Sequence, residues 1–443
     1  MKLKWKKKKR VFILSLDGVP YSFLQEGISN GRFGNLNHVG EMVEIKSVFP
    51  PVSSVAWATF TTGVNPAEHG IFGFIDRDPS TMTERLPTSN DLSSPTIWEM
   101  LNQAGKRTIA MNVPLTTPPR EVDGIMISGF LCTDLAQGVK PASLLPRLRQ
   151  LDYRIDPDPA LAAEDRTRYL NEIFATLRAR RRALFALLSE RWDLYMCHVM
   201  MTDRINHFFW ADGQKEDSAF HDAFWQFYDE VDAVVGEVDA NLPPNTDFLV
   251  LSDHGFCPLH HEVNLNAALA EAGFLRFKDN GEGLAHLDPS SRAYSLLPGR
   301  IYLNLQGREQ TGTVPTTDYD SLRKELTTFL EELMNPHGDP IVAKTAFREE
   351  VYAGKHLERA PDLLVLPNDG YDLKARFAPG PVLTPAERRT GMHTYSDAFA
   401  TLRGRPFRQN GSIIDLTPVL FQLLGLPVPS HLEGESLLSD GVS

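Results

Sequence analysis

The segment VFILSLDG, residues 11–18, is an almost unbroken apolar run that stops at a carboxylate. Continuous apolar character, without alternation, predicts a strand buried on both faces, as in a parallel sheet covered by helices. Asp17 then falls at the strand's carboxyl end, where open α/β sheets bind their ligands. An Asp followed by Gly also simply starts a turn, and the run alone leaves both readings open.

The same pattern recurs along the chain. Residues 192–200 form a second buried run that leads into Thr202-Asp203-Arg204-Ile205-Asn206-His207. Residues 248–251, FLVL, lead into Ser252-Asp253-His254-Gly255, where the glycine lets the backbone turn. Further strands are predicted over 107–113, 121–128, 362–366 and 398–402. Helices are predicted over 96–103, 160–190, 217–241 and 413–424. Strands alternating with helices predict an α/β fold with a mostly parallel central sheet sandwiched by helices. The pattern changes between 264 and 360, where helices 265–273 and 319–334 and a strand over 300–305 are separated by polar stretches. This stretch is read as a small α+β cap insertion beside a core made of 11–263 and 361–443, with strand 362–366 marking the return of the core. Residues 1–10, MKLKWKKKKR, are read as a solvated basic arm.

Composition narrows the function classes. The chain has 443 residues, 42% hydrophobic and 23% charged, in the ordinary range of globular proteins. A net charge of −12 opposes binding to a nucleic acid duplex, whose phosphates it would repel. The apolar run after the arm is too short for a secretion signal or a membrane span, so stable membrane insertion is not expected. Three widely spaced cysteines, Cys132, Cys197 and Cys257, suggest neither a disulfide framework nor a cysteine-based zinc knuckle, and point to a reducing cytoplasm.

The chemistry concentrates around FPPVSSVAWATFTTGVNPAEHGIFGF, residues 49–74. Two prolines favour an extended approach. Residues 55–62 can then form a short helix that Gly63 ends. A serine at that junction faces the free N–H groups of a helix start, a ready anion site. The plain alternative is a helix cap. Asp203 and His207 are four residues apart, so on a helix both lie on one face and could grip one cation. Gly391-Met392-His393 precedes a strand. Phe208, Phe209 and Trp210 either wall a site or fill the core, and His260 and His261 are read as surface residues. Three Asp and three His without Cys suit zinc, with manganese as the alternative.

Taken in order, VFILSLDG with Asp17, PPVS with Ser53 before TTGVNPAEHG, Asp203-x-x-x-His207, Ser-Asp253-His254-Gly and Gly-x-His393 resemble the alkaline phosphatase superfamily, in its type I phosphodiesterase/nucleotide pyrophosphatase branch. The resemblance spans about residues 11–435. It implies two divalent metal ions, one held by Asp17, Asp253 and His254 together with the nucleophile Ser53, the other by Asp203, His207 and His393. It implies hydrolysis of a small phosphate ester through a phosphoseryl intermediate. The family pattern usually has Thr where Ser53 stands, then Pro and Asn where this chain has Val55 and Ala56. The lost Asn leaves phosphomonoesterase or phosphotransferase activity as alternatives, and Asn112 is one candidate for a replacement donor. A sulfatase would need a Cys/Ser-x-Pro-x-Arg motif, which Ser53 lacks. A non-catalytic, metal-bound module for a phosphorylated ligand is the reading from another class. Ser54 is the residue that a slip of one position would put in the place of Ser53.

Overall fold

The apolar run becomes the strand Arg10–Leu16, the middle of a nine-stranded sheet. A computed structural model gives this architecture and describes residues 9–278 and 283–438, so the basic arm lies almost wholly outside the described residues. Side chains of the central strand alternate between two separate cores. Phe12, Leu14 and Leu16 enter one, and Val11 and Ile13 enter the other. Strand geometry sends successive side chains to opposite faces, so a strand with helices on both sides must be apolar throughout.

The strand order is 411–412, 42–46, 398–402, 246–251, 10–16, 194–199, 108–113, 124–128, 139–140. The five inner strands from 246–251 to 124–128 are mutually parallel. Only 398–402 and 139–140 run against the rest. On one face lie the helices Arg166–Leu188, Met201–Gly213 and His221–Asn241. On the other lie Ser53–Thr62, Ile97–Gln103 and Leu416–Leu423. The predicted mostly parallel sheet between helices is what forms.

Several boundaries differ, each for a local reason. The helix expected over 55–62 begins at Ser53, directly after the extended Val52. The helix expected over 160–190 is two helices, Leu161–Glu164 and Arg166–Leu188. Asp165 between them is extended, and its carboxylate accepts the Arg168 N–H as a new N-cap. The strand Leu363–Pro367, expected to return the chain to the core, is instead an inner strand of a separate four-stranded antiparallel sheet. Its neighbours are Arg300–Leu303 and Val342–Phe347. That sheet has its own core, which takes Leu363 and Val365 on one side, while Leu364 enters another cluster on the other. An apolar run reports burial on two faces and carries no information about which sheet does the burying. Among the described residues no helix is long and apolar enough to cross a membrane.

Candidate active site

Asp17, Asp203 and Asp253–His254 follow three neighbouring strands, Arg10–Leu16, Leu194–Val199 and Thr246–Leu251. Neighbouring parallel strands end at the same edge, which is how positions so far apart in the chain meet. Asp203 and His207 lie in the first turns of the helix Met201–Gly213, on one face as their spacing predicts. His393 arrives on a two-stranded ribbon, Gly255–Pro258 paired with Gly391–Thr394, where it lies opposite Phe256. Ser53 is the first residue of its helix.

Ser53 Oγ is 3.2 Å from Asp17 Oδ1 and 3.1 Å from His254 Nε2. Ser54, equally buried, directs its hydroxyl elsewhere and has no hydrogen-bond partner among the described residues. Val55 and Ala56 both give their N–H groups to Val52 O. The earlier N–H groups of the helix, those of Ser53 and Ser54, have no intrahelical acceptor, as at any helix start.

The three histidines share one arrangement. Nδ1 of His207 faces Gly391 O at 3.0 Å, that of His254 faces Gly255 O at 3.0 Å, and that of His393 faces Pro51 O at 3.3 Å. A carbonyl only accepts, so each Nδ1 carries a proton and each ring turns its Nε2 inward, where loss of any second proton leaves a lone pair for a cation. His207 Nε2 and His393 Nε2 are 3.0 Å apart, and Asp203 Oδ2 lies 3.2 and 3.1 Å from them. Acceptors this close repel unless a proton or a metal ion sits among them. Ligand atoms of Asp203, His207 and His393 all lie within 4.8 Å of one another, and so do those of Asp17, Asp203 and His254. Asp203 therefore belongs to both groups. Asp253 Oδ1 accepts the Gly18 N–H at 3.1 Å, while its buried Oδ2 has no hydrogen-bond partner and lies 3.5 Å from His254 Nε2. This donor set of carboxylate oxygens and imidazole nitrogens, with one orphaned buried oxygen, fits divalent cations such as zinc.

Charges in the site respond to crowding. Burial opposes ionisation of Asp17, but the adjacent imidazoles of His198 and His254, 3.2 and 3.5 Å away, outweigh it and hold the carboxyl below its usual range. Burial and the neighbouring Asp17 push Asp253 well above that range. Burial works against charge on His254, yet Asp253 and Asp17 raise it to about 9. Burial and the charge on His254 bring His393 down to about 4. Burial also lowers His207, and the charge of Arg389 acts in the same direction.

Three contributors escaped the sequence reading. Trp57 Nε1 donates to Asp17 Oδ2 at 2.9 Å, and His198 Nε2 lies 3.2 Å from the same oxygen, leaving Oδ1 to face Ser53. His198 was visible as a lone polar residue inside an apolar strand, whereas Trp57 looked like core. Phe256 lies 4.9 Å from the His207 ring and 5.1 Å from that of His393. Residues 208–210, considered for a wall, are core, and Phe256 belongs to the same core, with its ring 6.0 Å from that of Trp210. Gly18 makes the tight turn after Asp17 at φ +63, where an added Cβ would meet Phe256 at 2.7 Å and His254 at 2.9 Å. Asn112 does not join the site. Its Oδ1 accepts the Tyr153 hydroxyl at 3.2 Å, and it does not line the cleft. His260 is exposed, and His261 stacks on Tyr371.

A cleft of about 350 Å³ opens from Ser53, Asp203, His207 and His393. Its walls are mainly apolar, with Phe74, Leu86, Phe130 and Leu297 among them. Three cationic side chains also line it, Arg204, Lys374 and Arg389.

A family model described as type I phosphodiesterase/nucleotide pyrophosphatase matches residues 11–396. Among solved structures, phosphonoacetate hydrolase from Sinorhizobium meliloti 1021, in complex with phosphonoformate, is similar with a TM-score of 0.62 at 18% identity, over 94% of this chain and 95% of that chain. Murine ectonucleotide pyrophosphatase/phosphodiesterase 5 is similar with a TM-score of 0.57 at 16% identity, over 97% of this chain and 100% of that chain. The human protein of the same name gives 0.58 at 16% identity, over 98% and 100%. Likeness at these identities is one of fold. No curated protein matches the chain in sequence.

Proposed function

The chain belongs to the type I phosphodiesterase/nucleotide pyrophosphatase family and is a phosphoric ester hydrolase, and on that premise we propose that Ser53 is its nucleophile and that two divalent cations serve it. The observation that carries this reading is the Ser53 hydroxyl at the start of a helix, 3.2 Å from Asp17 and 3.1 Å from His254. In this reading Asp17, Asp253 and His254 hold one cation, and Asp203, His207 and His393 hold the other. Zinc is the proposed metal, with manganese as the alternative. When bound, the cations supply Lewis-acid chemistry, neutralising phosphoryl charge and lowering the pKa of the serine hydroxyl.

The chain's own groups do the rest. Ser53 points its hydroxyl proton at Asp17 Oδ1. Trp57 donates to the other oxygen of Asp17, with the His198 ring packed beside it, which restrains the carboxylate. The Ser53 oxygen attacks phosphorus, a Ser–O–P bond forms, and the ester P–O bond breaks to release the alcohol. N–H groups at the helix start favour the anionic phosphoryl group. Water then hydrolyses the phosphoserine to free Ser53 and phosphate or a phosphomonoester. Segment 264–360 acts as a cap in this account, because Leu297 and Pro298 form part of the cleft wall. A cytoplasmic setting is proposed from the three free, buried thiols. Recovery of the native protein only from an exported fraction would overturn that setting.

Purified protein loaded with zinc or manganese should cleave bis(4-nitrophenyl) phosphate, and EDTA should stop it. Rates on mono-, di- and sulfate esters, measured side by side, separate the diesterase from its alternatives. Ser53→Ala should lower kcat by about 10⁴-fold or more, as loss of a nucleophile does, and Ser54→Ala should change it by less than about threefold. Equal losses in the two variants would remove Ser53 from the proposed role.

A further inference from the structure

The cleft does not extend equally to both halves of the site. Asp203, His207 and His393 line it, whereas Asp17, Asp253 and His254 lie behind Ser53 and do not. In an in-line displacement the departing group lies opposite the attacking oxygen. The departing part of the substrate therefore occupies the cleft, on the Asp203 side.

Of the three cations there, two are already committed. Arg204 is paired with Asp156 at 2.5 Å and with Asp203 at 3.2 Å. Lys374 is paired with Asp372 and lies 3.7 Å from Glu262. Arg389 is half-buried, and among the described residues its guanidinium makes no ion pair or hydrogen bond. Its backbone is nonetheless fixed. The next residue, Thr390, gives its N–H to His207 O at 2.7 Å, and its carbonyl accepts the Leu259 N–H at 2.9 Å. A guanidinium held beside the helix of Asp203 and His207, in a mostly apolar cleft, with no carboxylate in contact among the described residues and the nearby Asp372 already paired with Lys374, suits recognition of an anion. Around it the walls are apolar. Leu86 and Leu297 on those walls remain 56% and 38% exposed, so they offer apolar surface to a ligand.

Resting on the hydrolase reading above, we propose that the substrate is a phosphate ester whose leaving group is an apolar body carrying a second anionic group, a carboxylate or a phosphate, and that Arg389 binds that anion. The apolar body lies against the walls, and the remote charge fixes which ester is taken. Arg389 is thus a specificity residue and takes no part in bond making.

Two substrates isolate this interaction: the methyl phosphodiester of 4-hydroxyphenylacetate, and the same compound with its carboxylate masked as a methyl ester. Their leaving phenols have similar acidity, so they differ mainly in the remote charge. The metal-loaded wild type should favour the free acid by about tenfold in kcat/KM, chiefly through KM, as one charge-assisted contact provides. Arg389→Gln should bring the preference down toward unity, and Arg389→Lys should restore part of it. A wild-type preference near unity, or one that Arg389→Gln leaves intact, overturns the proposal while the hydrolase reading stands. Turnover of neither ester removes the diesterase reading instead. Calorimetry of the metal-loaded protein with 4-hydroxyphenylacetate and its methyl ester then decides the anion site alone. Tighter binding of the acid that depends on Arg389 supports it, and equal binding of the two overturns it.

Discussion

At the scale of single residues, the site is organised by protons as much as by ligands. Asp253 is pushed above its ordinary range and His254 up to about 9, so the pair holds protons more tightly than free groups would. A cation that takes their place must displace those protons, because a ligand has to offer a lone pair. His207 and His393 are lowered and are neutral at pH 7, so they add no proton release there. Metal affinity should therefore rise with pH up to about 9, and loading at neutral pH should release protons. Calorimetry in buffers of different ionisation enthalpy reads that release, and an affinity independent of pH would contradict it. A second expectation concerns the support of Asp17. Trp57→Phe keeps the packing but removes the donor to Asp17 Oδ2. It should weaken metal affinity or activity by about 10- to 100-fold, as loss of a supporting hydrogen bond behind a ligand does. Asp17, Asp203, His207, Asp253 and His254 were legible as candidates because carboxylates and imidazoles after apolar strands are conspicuous, whereas Ser53 looked like a helix cap and His393 like a loop residue until the ordered family pattern singled them out. Trp57 was not legible, because an indole on an apolar helix looks like core until its N–H is seen to have a buried acceptor.

At the scale of elements, each site group is only as well placed as the segment that carries it. Gly391 begins the strand that brings in His393, and a Cβ there would lie 2.4 Å from Asn206 O. Backbone of the helix Met201–Gly213 cannot yield as a side-chain tip would. Gly391→Ala should cost about 1–3 kcal/mol and weaken the cation held by His393, which metal titration and thermal melting can read separately. In the smaller sheet the fixed point is Asp362. It is fully buried and takes hydrogen bonds from Arg308 at 2.7 and 2.5 Å, Tyr319 at 2.8 Å and the Leu303 N–H at 2.8 Å. Burial would raise its pKa, but the Arg308 contacts overcome that and hold it below its ordinary 3.8. A carboxylate depressed in the folded state stabilises it above that ordinary value, and the contribution is lost as pH falls through the folded pKa. Asp362→Asn should destabilise the protein by about 3 kcal/mol at neutral pH, since Arg308 and Arg348 lose a buried counterion and Arg308 keeps only the Glu309 carboxylate among the described residues. The penalty relative to wild type should shrink below about pH 4, as denaturant midpoints would record. The sequence made the existence of the Leu363–Pro367 strand clear but misplaced it, because its partners at 300–303 and 342–347 are chosen by long-range packing that periodicity does not encode. The break at Asp165 was legible in principle, as an N-cap residue inside a helical pattern, and was hidden by the apolar spacing on either side.

At the scale of the whole molecule, the proposed ligands come from residues 17, 203–207, 253–254 and 393, segments that only the folded sheet edge brings together. In the unfolded chain, gathering them would require closing several loops of tens to hundreds of residues, each with its entropic cost. A divalent cation should therefore bind the folded state almost exclusively, and its binding free energy should appear as stability. At a free zinc concentration 100 times the dissociation constant, each site should add about 2.7 kcal/mol. The melting temperature should climb with zinc and fall back when EDTA is added. Two variants locate the effect. His207→Ala removes a lone pair from the Asp203–His207–His393 group and should lose most of the stabilisation at that site. Ser53→Ala leaves both carboxylate–imidazole groups intact and should retain most of it, even though its turnover is expected to collapse. That separation of stabilisation from catalysis distinguishes a metal centre with a serine nucleophile from a serine that is only a cap. A melting temperature that ignores zinc in the wild type would mean that these side chains meet without forming a cation site, and the two-metal reading would fall with it.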